Sequence, residues 1–258
     1  SRHSTPNEFR RMNKLDRQIL DILQFSFPLV THPYRAIARQ MGSTESEVIG
    51  HIDRLKRNGT IRRTGPIFDS ARLGYRSTLA AFKVAASRAD EVAAVLSAHP
   101  GVSHNYLRED KFNLWFTLTL PREQSLRDEI GRLAHTTGVA DRLFLPTTRV
   151  FKIGFRLDMG HKRPMHEKRS GPPRARRSNT SPRINKAFVR ELQGDLPLTT
   201  RPFRTAASRL GMTEGRIVRM LGSYIDAGIV RRVASVLRPH KAGFAANVMV
   251  AWAPPGNK

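Results

Sequence analysis

The chain has 258 residues, 39% of them hydrophobic, which suffices for one large or two modest domains with buried cores. It contains no cysteine, excluding disulfides, thiolate catalysis and Cys-ligated zinc or iron–sulfur clusters; any metal must use other side chains or arrive within a ligand. The 45 Lys and Arg against 21 Asp and Glu give a net charge of +24, a field that attracts polyanions, while the absence of any long apolar run points to a cytoplasmic protein without a membrane span.

In chain order, Leu15, Ile19, Ile22 and Leu23 recur at helical spacing and predict a helix over about 14–25. A short second helix starts at Pro33, with Ile37 and Met41 on its inner face and Gly42 at its end. Thr44-Glu45-Ser46-Glu47 matches a capping box for a third helix that points Val48, Ile52 and Leu55 inward and closes at Gly59. These elements predict a helix-turn-helix, with Ile61 to Phe68 as a wing hairpin. Next come a strand over Leu79 to Val84, a helix over Ala89 to Ala98, and a strand pair, Val102 to Tyr106 with Asn113 to Leu120. A helix over Arg122 to Thr137 and a strand over Arg142 to Phe155 complete a βαββαβ order, which predicts a ferredoxin-like sandwich with both helices on one sheet face. Alternation places Leu114, Phe116 and Leu118 under the helices and Asn113, Trp115 and Thr117 on the open face, where an exposed Trp would need another sheet or a flat ligand to cover it.

From His161 to Arg183 the chain carries eight Lys or Arg, one acid and four prolines with no apolar periodicity, the composition of a disordered linker. Beyond it the sequence repeats. A shift of 169 positions superposes Pro33-Tyr34-Arg35 on Pro202-Phe203-Arg204, Thr44-Glu45 on Thr213-Glu214, Gly59 on Gly228 and Arg62-Arg63 on Arg231-Arg232 without a gap. The expected fold class is α+β, a tandem of winged helix-turn-helix plus ferredoxin-like units with the second unit truncated. The expected domains are a winged helix-turn-helix over 1–75, a ferredoxin-like ligand domain over 76–160, a basic linker over 161–183, a second winged helix-turn-helix over 184–243, and the start of a second ferredoxin-like domain over 244–258.

Three strings resemble the siroheme decarboxylases of haem d1 and alternative haem biosynthesis, enzymes on the Lrp/AsnC regulator scaffold. They are Arg62-Arg63-Thr64-Gly65-Pro66-Ile67-Phe68-Asp69-Ser70, Gly101-Val102-Ser103-His104-Asn105-Tyr106-Leu107-Arg108 with Asn113-Leu114-Trp115-Phe116-Thr117, and Leu145-Pro146-Thr147-Thr148-Arg149-Val150-Phe151-Lys152-Ile153-Gly154. Arg238 to Asn247 in the second copy resembles the partner subunit of the same enzyme, so the tandem layout would be a fusion of two homologous subunits. The His-Asn-Tyr string is the most specific of these.

The resemblance implies a carboxy-lyase that removes CO2 from acetate side chains of siroheme to give didecarboxysiroheme, with no cofactor beyond the iron tetrapyrrole substrate. Its partners would be homologous decarboxylase subunits or a second copy of the chain. It implies His104 as proton donor or as axial ligand of the substrate iron, two roles equally natural for imidazole. Arg108 and Arg149 would clamp carboxylates, Lys152 would add a point charge, Tyr106 and Trp115 would stack on the ring, and Asn113 would orient a carboxylate. Each residue also has a plainer reading: a hydrogen-bonded strand histidine, solvated surface cations, core aromatics and a turn asparagine.

The alternative is an Lrp/AsnC-type DNA-binding transcriptional regulator. Its recognition helix would begin Ser43-Thr44-Glu45-Ser46-Glu47, where two carboxylates face the phosphates, which weighs against specific DNA binding by the first copy. Arg216 and Arg219 make the second copy less hostile to nucleic acid. We read the helix-turn-helix as a scaffold for dimer-like packing between copies.

Overall fold

The structure, a computed structural model, describes residues 12–148 and 182–242. It divides into two compact units, one of residues up to Phe68 together with those from Gly154, the other of Asp69–Ile153. The first unit contains both helix-turn-helix copies; the second is the ferredoxin-like domain.

In the first copy, α1 (Lys14–Phe25), α2 (Pro33–Met41) and α3 (Glu45–Arg57) form where their caps predict. Asn13 and Asp16 make a reciprocal capping box on α1, and Thr44 and Glu47 make another on α3. Gly42 ends α2 at φ 63°, the left-handed conformation that a Cβ disfavours. Ile19, Leu20, Leu23, Ile37, Val48, Ile52 and Leu55 are all sealed from solvent. Each contributes about 1.5–3 kcal/mol of burial free energy before entropy is counted. The second copy repeats the plan as α6 (Lys186–Leu192), α7 (Arg204–Arg209) and α8 (Glu214–Asp226).

The expected wing hairpin is replaced by something else. Ile61–Phe68 is one uninterrupted strand, β1, and it pairs antiparallel with its own counterpart, β6 (Val230–Leu237). Gly65 lies opposite Ala234, the position related to it by the duplication, so the pairing has the self-complementary register of a two-fold dimer within one chain. Gly65-Pro66 resembles a turn signal, yet it sits mid-strand for a geometric reason. The Thr64 N–H and C=O point away from β6, bonding the Asp195 carboxylate at 2.8 Å and the Leu196 N–H at 2.8 Å. Pro66, two residues on, has the same orientation, so its missing N–H costs the ladder nothing. The Thr64 and Ser235 hydroxyls bond each other at 2.7 Å in the buried centre of this sheet. Lys56 anchors the other oxygen of Asp195 at 2.7 Å.

The ferredoxin-like unit runs β2 (Tyr75–Phe82), α4 (Ala89–Ala98), β3 (Val102–Leu107), β4 (Leu114–Pro121), α5 (Leu126–Thr137) and β5 (Arg142–Pro146). Its four strands lie in the order β3-β4-β2-β5, every neighbouring pair antiparallel. The strand expected from Leu79 begins at Tyr75. The helix expected from Arg122 begins after Ser125, whose hydroxyl accepts from Asp128 N–H. Phe82 and Phe116 meet edge-to-face at 5.0 Å and pack with Val92, Leu96, Leu118, Ile130 and Leu133 on the helix side of the sheet. His99 follows α4 and its Nε2 lies 2.8 Å from Glu129 of α5, which ties the two helices together.

Candidate functional site

The edge strand β3 carries three of the sequence-predicted residues in one exposed row. His104 and Tyr106 lie two apart on the sheet face away from the helices, opposite Thr117 and Trp115, and Arg108 follows two positions on. The rings of His104 and Tyr106 are 6.0 Å apart and inclined by 34°, and the Arg108 guanidinium lies 5.0 Å from the Tyr106 ring centroid. Such an exposed cation–π contact contributes about 0.5–1 kcal/mol, enough to bias the side chain without fixing it. Tyr106 remains 48% exposed, so one edge of this row offers an aromatic surface to an incoming group. Asn105, between them, turns to the other face and donates to the Ala93 carbonyl of α4 at 3.0 Å and to the Ser97 hydroxyl at 3.2 Å. It fixes the strand against the helix.

Two expected site residues are differently placed. Trp115 shares the open face but is only 7% exposed, and its indole N–H donates to the Phe112 carbonyl at 2.6 Å. Its β2 partner is the buried Ala81, whose small side chain leaves room beside it. The exposed Trp that needed an external partner is therefore part of the packed structure. Asn113 is also committed: its carbonyl accepts from the Val84 N–H at 2.9 Å and its amide donates to the Val84 carbonyl at 2.8 Å. That pair closes the sheet between β2 and β4 and leaves the amide engaged with backbone. Arg149 and Lys152 lie outside the described residues.

One residue that sequence reasoning passed over joins the row. The Ser103 hydroxyl lies 2.9 Å from His104 Nδ1. A hydroxyl next to an imidazole in a strand is no signal by itself, because neighbouring side chains in a regular strand point to opposite faces. Among the described residues no cluster of three His, Asp or Glu is arranged to hold a metal ion. The row supplies an imidazole, a phenol ring and a guanidinium within about 13 Å, four residues of extended chain. It can engage a flat anionic molecule by stacking, by charge and by proton transfer.

Comparison with known proteins agrees with the domain layout. Residues 72–152 match the AsnC-like ligand binding domain, and residues 16–62 and 185–231 both match the siroheme decarboxylase NirDL-like HTH domain. The chain is 40% identical over 244 residues to a siroheme decarboxylase of Hydrogenobacter thermophilus, covering 94% of this chain and 72% of that protein. It belongs to the siroheme decarboxylase family. A NirDL subunit from Paracoccus denitrificans is 37% identical over 243 residues, 93% of this chain and 72% of its own length. The crystal structure of the siroheme decarboxylase NirDL superposes with a TM-score of 0.65 at 35% identity, covering 86% of this chain and 65% of that one. The complex of NirDL with an iron-uroporphyrin III analogue gives 0.64 at 34% identity, covering 86% and 66%. The chain thus spans about two thirds of the length of these solved relatives. No described helix is long and apolar enough to cross a membrane.

Proposed function

We propose that this chain is a siroheme decarboxylase, a carboxy-lyase that converts acetate side chains of siroheme to methyl groups and releases CO2. The observation that carries the reading is family membership across nearly the whole chain, coupled to the exposed His104, Tyr106 and Arg108 row on β3. The chemistry asks for little. When the bond between the acetate methylene and its carboxylate breaks, the electron pair stays on the carbon and CO2 departs; one proton then completes the methyl group. No electron is gained or lost, so no cofactor is needed beyond the iron tetrapyrrole substrate.

His104 is the proton donor in this reading, since an imidazolium can give a proton from one ring nitrogen and regain it from solvent. Arg108 pairs with a substrate carboxylate, and Tyr106 offers its ring to the macrocycle. Arg149 and Lys152 would add cationic anchors from their place in the third family string. A ring as broad as siroheme needs a second wall, which a homologous subunit or a second copy of the chain would supply. A cytoplasmic enzyme acting on a soluble pigment fits the composition.

Anaerobic incubation of the protein with siroheme, followed by mass spectrometry, tests the activity. The expected products have lost one and then two CO2; pigment of unchanged mass contradicts the reading. Replacing His104 by Ala separates its two possible roles. Turnover lost with the bound pigment's spectrum retained identifies the acid, whereas loss of the spectrum identifies an iron ligand.

A further inference from the structure

We propose that Ser103 is a positioning residue, which holds the His104 ring by Nδ1 so that Nε2 is the nitrogen presented to substrate. The inference rests on the site reading above and extends it to a residue outside that reading.

The backbone supplies the first observation. The β3–β4 register shifts between Val102 and His104: Val102 opposes Leu118 and His104 opposes Thr117, so two steps on β3 match one on β4. Ser103 is the extra residue of a β-bulge, the device by which a strand re-aims a side chain. In a regular strand Ser103 would point away from His104; here both are exposed and the serine hydroxyl reaches the neighbouring ring. Flanking bonds hold the bulge, with Thr119 N–H donating to the Gly101 carbonyl at 2.8 Å and Val102 N–H to the His99 carbonyl at 3.0 Å.

The second observation is the hydrogen bond itself, 2.9 Å from Oγ to Nδ1. With the hydroxyl accepting from Nδ1–H, the imidazolium and the neutral ring that remains after proton transfer keep the same contact. The proton leaves from Nε2, joins the carbanionic methylene carbon, and is replaced at Nε2 from solvent. The ring need not turn between cycles. Tyr106 stands two residues further on the same face and limits the ring from that direction.

Ser103→Ala, Ser103→Thr and His104→Ala, compared with the natural chain in anaerobic siroheme turnover, test this. Ser103→Ala is expected to lower kcat about tenfold with KM changed less than about twofold, the scale of one positioning hydrogen bond. Ser103→Thr keeps a hydroxyl and restores the natural kcat. Nitrogen-15 chemical shifts of His104 in the free protein give a readout independent of activity: the Nδ1–H tautomer dominates in the natural chain and loses dominance in Ser103→Ala. If Ser103→Ala matches the natural chain in rate and tautomer while His104→Ala is inactive, the role of Ser103 is refuted and the site reading stands. If Ser103→Thr is as impaired as Ser103→Ala, the hydroxyl is not what matters and the proposal fails. If His104→Ala itself turns over siroheme normally, both fall.

Discussion

The two helix-turn-helix copies share a skeleton and differ in almost everything laid upon it. Val48, Ile52 and Leu55 of α3 correspond to Ile217, Leu221 and Tyr224 of α8, and all six are buried. The Thr44 and Thr213 hydroxyls each accept from the backbone N–H three residues on, and only Thr44 has a returning carboxylate, that of Glu47. The polar fastenings have diverged. In the first copy the buried Asp16 accepts from Asn13 N–H and bonds His51 Nδ1 at 2.7 Å and the Arg54 guanidinium. The corresponding residues of the second copy are Asn185, Met220 and Ser223, and Asn185 N–H donates instead to the Tyr224 hydroxyl at 2.8 Å. The surface charges differ as well: exposed Glu47 stands where Arg216 does in α8 and Arg57 where Asp226 does, while Gly50 stands in place of Arg219. The difference teaches that packing and the N-cap hydroxyls are kept in both copies, while the exposed faces of α3 and α8 differ in charge.

If β1 and β6 make the copies one structure, a cavity in either core must be felt by both. Ile52→Ala and Leu221→Ala should each cost about 3 kcal/mol and lower a single shared transition of this unit in denaturant melts. Two separated transitions would break the comparison into independent domains. A smaller effect is expected where the copies differ at the centre of the paired strands. A Cβ at Gly65 would sit 2.7 Å from the Gly194 carbonyl, whereas Ala234 already carries one. Gly65→Ala should therefore destabilise by about 2 kcal/mol, and Ala234→Gly by under about 1 kcal/mol.

Transplanting the second copy's residue into the first, Asp16→Asn, should cost about 1 kcal/mol, because Arg54 is half exposed and regains water when its partner loses charge. The smallest effect is a pH dependence confined to the first copy. Hydrogen bonds from the Thr44 N–H, then from the Ser43 and Thr44 hydroxyls, hold the Glu47 carboxyl below its ordinary value. A lowered folded value means that this contribution is present above the ordinary carboxylate range and disappears as pH falls through the folded value. Arg216 occupies the matching place in α8. Protection factors of the amides in the first turn of α3, measured against their intrinsic exchange rates, should fall on acidification more than those of α8.

Local signals made much of this fold legible. Thr44 and Gly42 mark helix ends by chemistry that acts within three or four residues, whereas the Ser125 cap was missed, and the duplication was visible from matching residues alone. β1 was misjudged because its partner lies 169 positions away and nothing near Gly65-Pro66 announces it. Alternation correctly assigned Trp115 to the face away from the helices but could not tell that it would be covered, since coverage depends on neighbours such as Ala81. Asn113 was recognised as polar and close to the site; its commitment to Val84 is a tertiary fact. His104, Tyr106 and Arg108 came from the string that resembles the family, and strand periodicity accounts for their common side; the role of Ser103 escaped because a bulge violates that periodicity.

Hydrogen exchange with and without siroheme, under anaerobic conditions, bears most directly on where the pigment sits. The account predicts slowed exchange across residues 102–108, with α3 and α8 unchanged. Protection of α3 or α8 with residues 102–108 unaffected would contradict it.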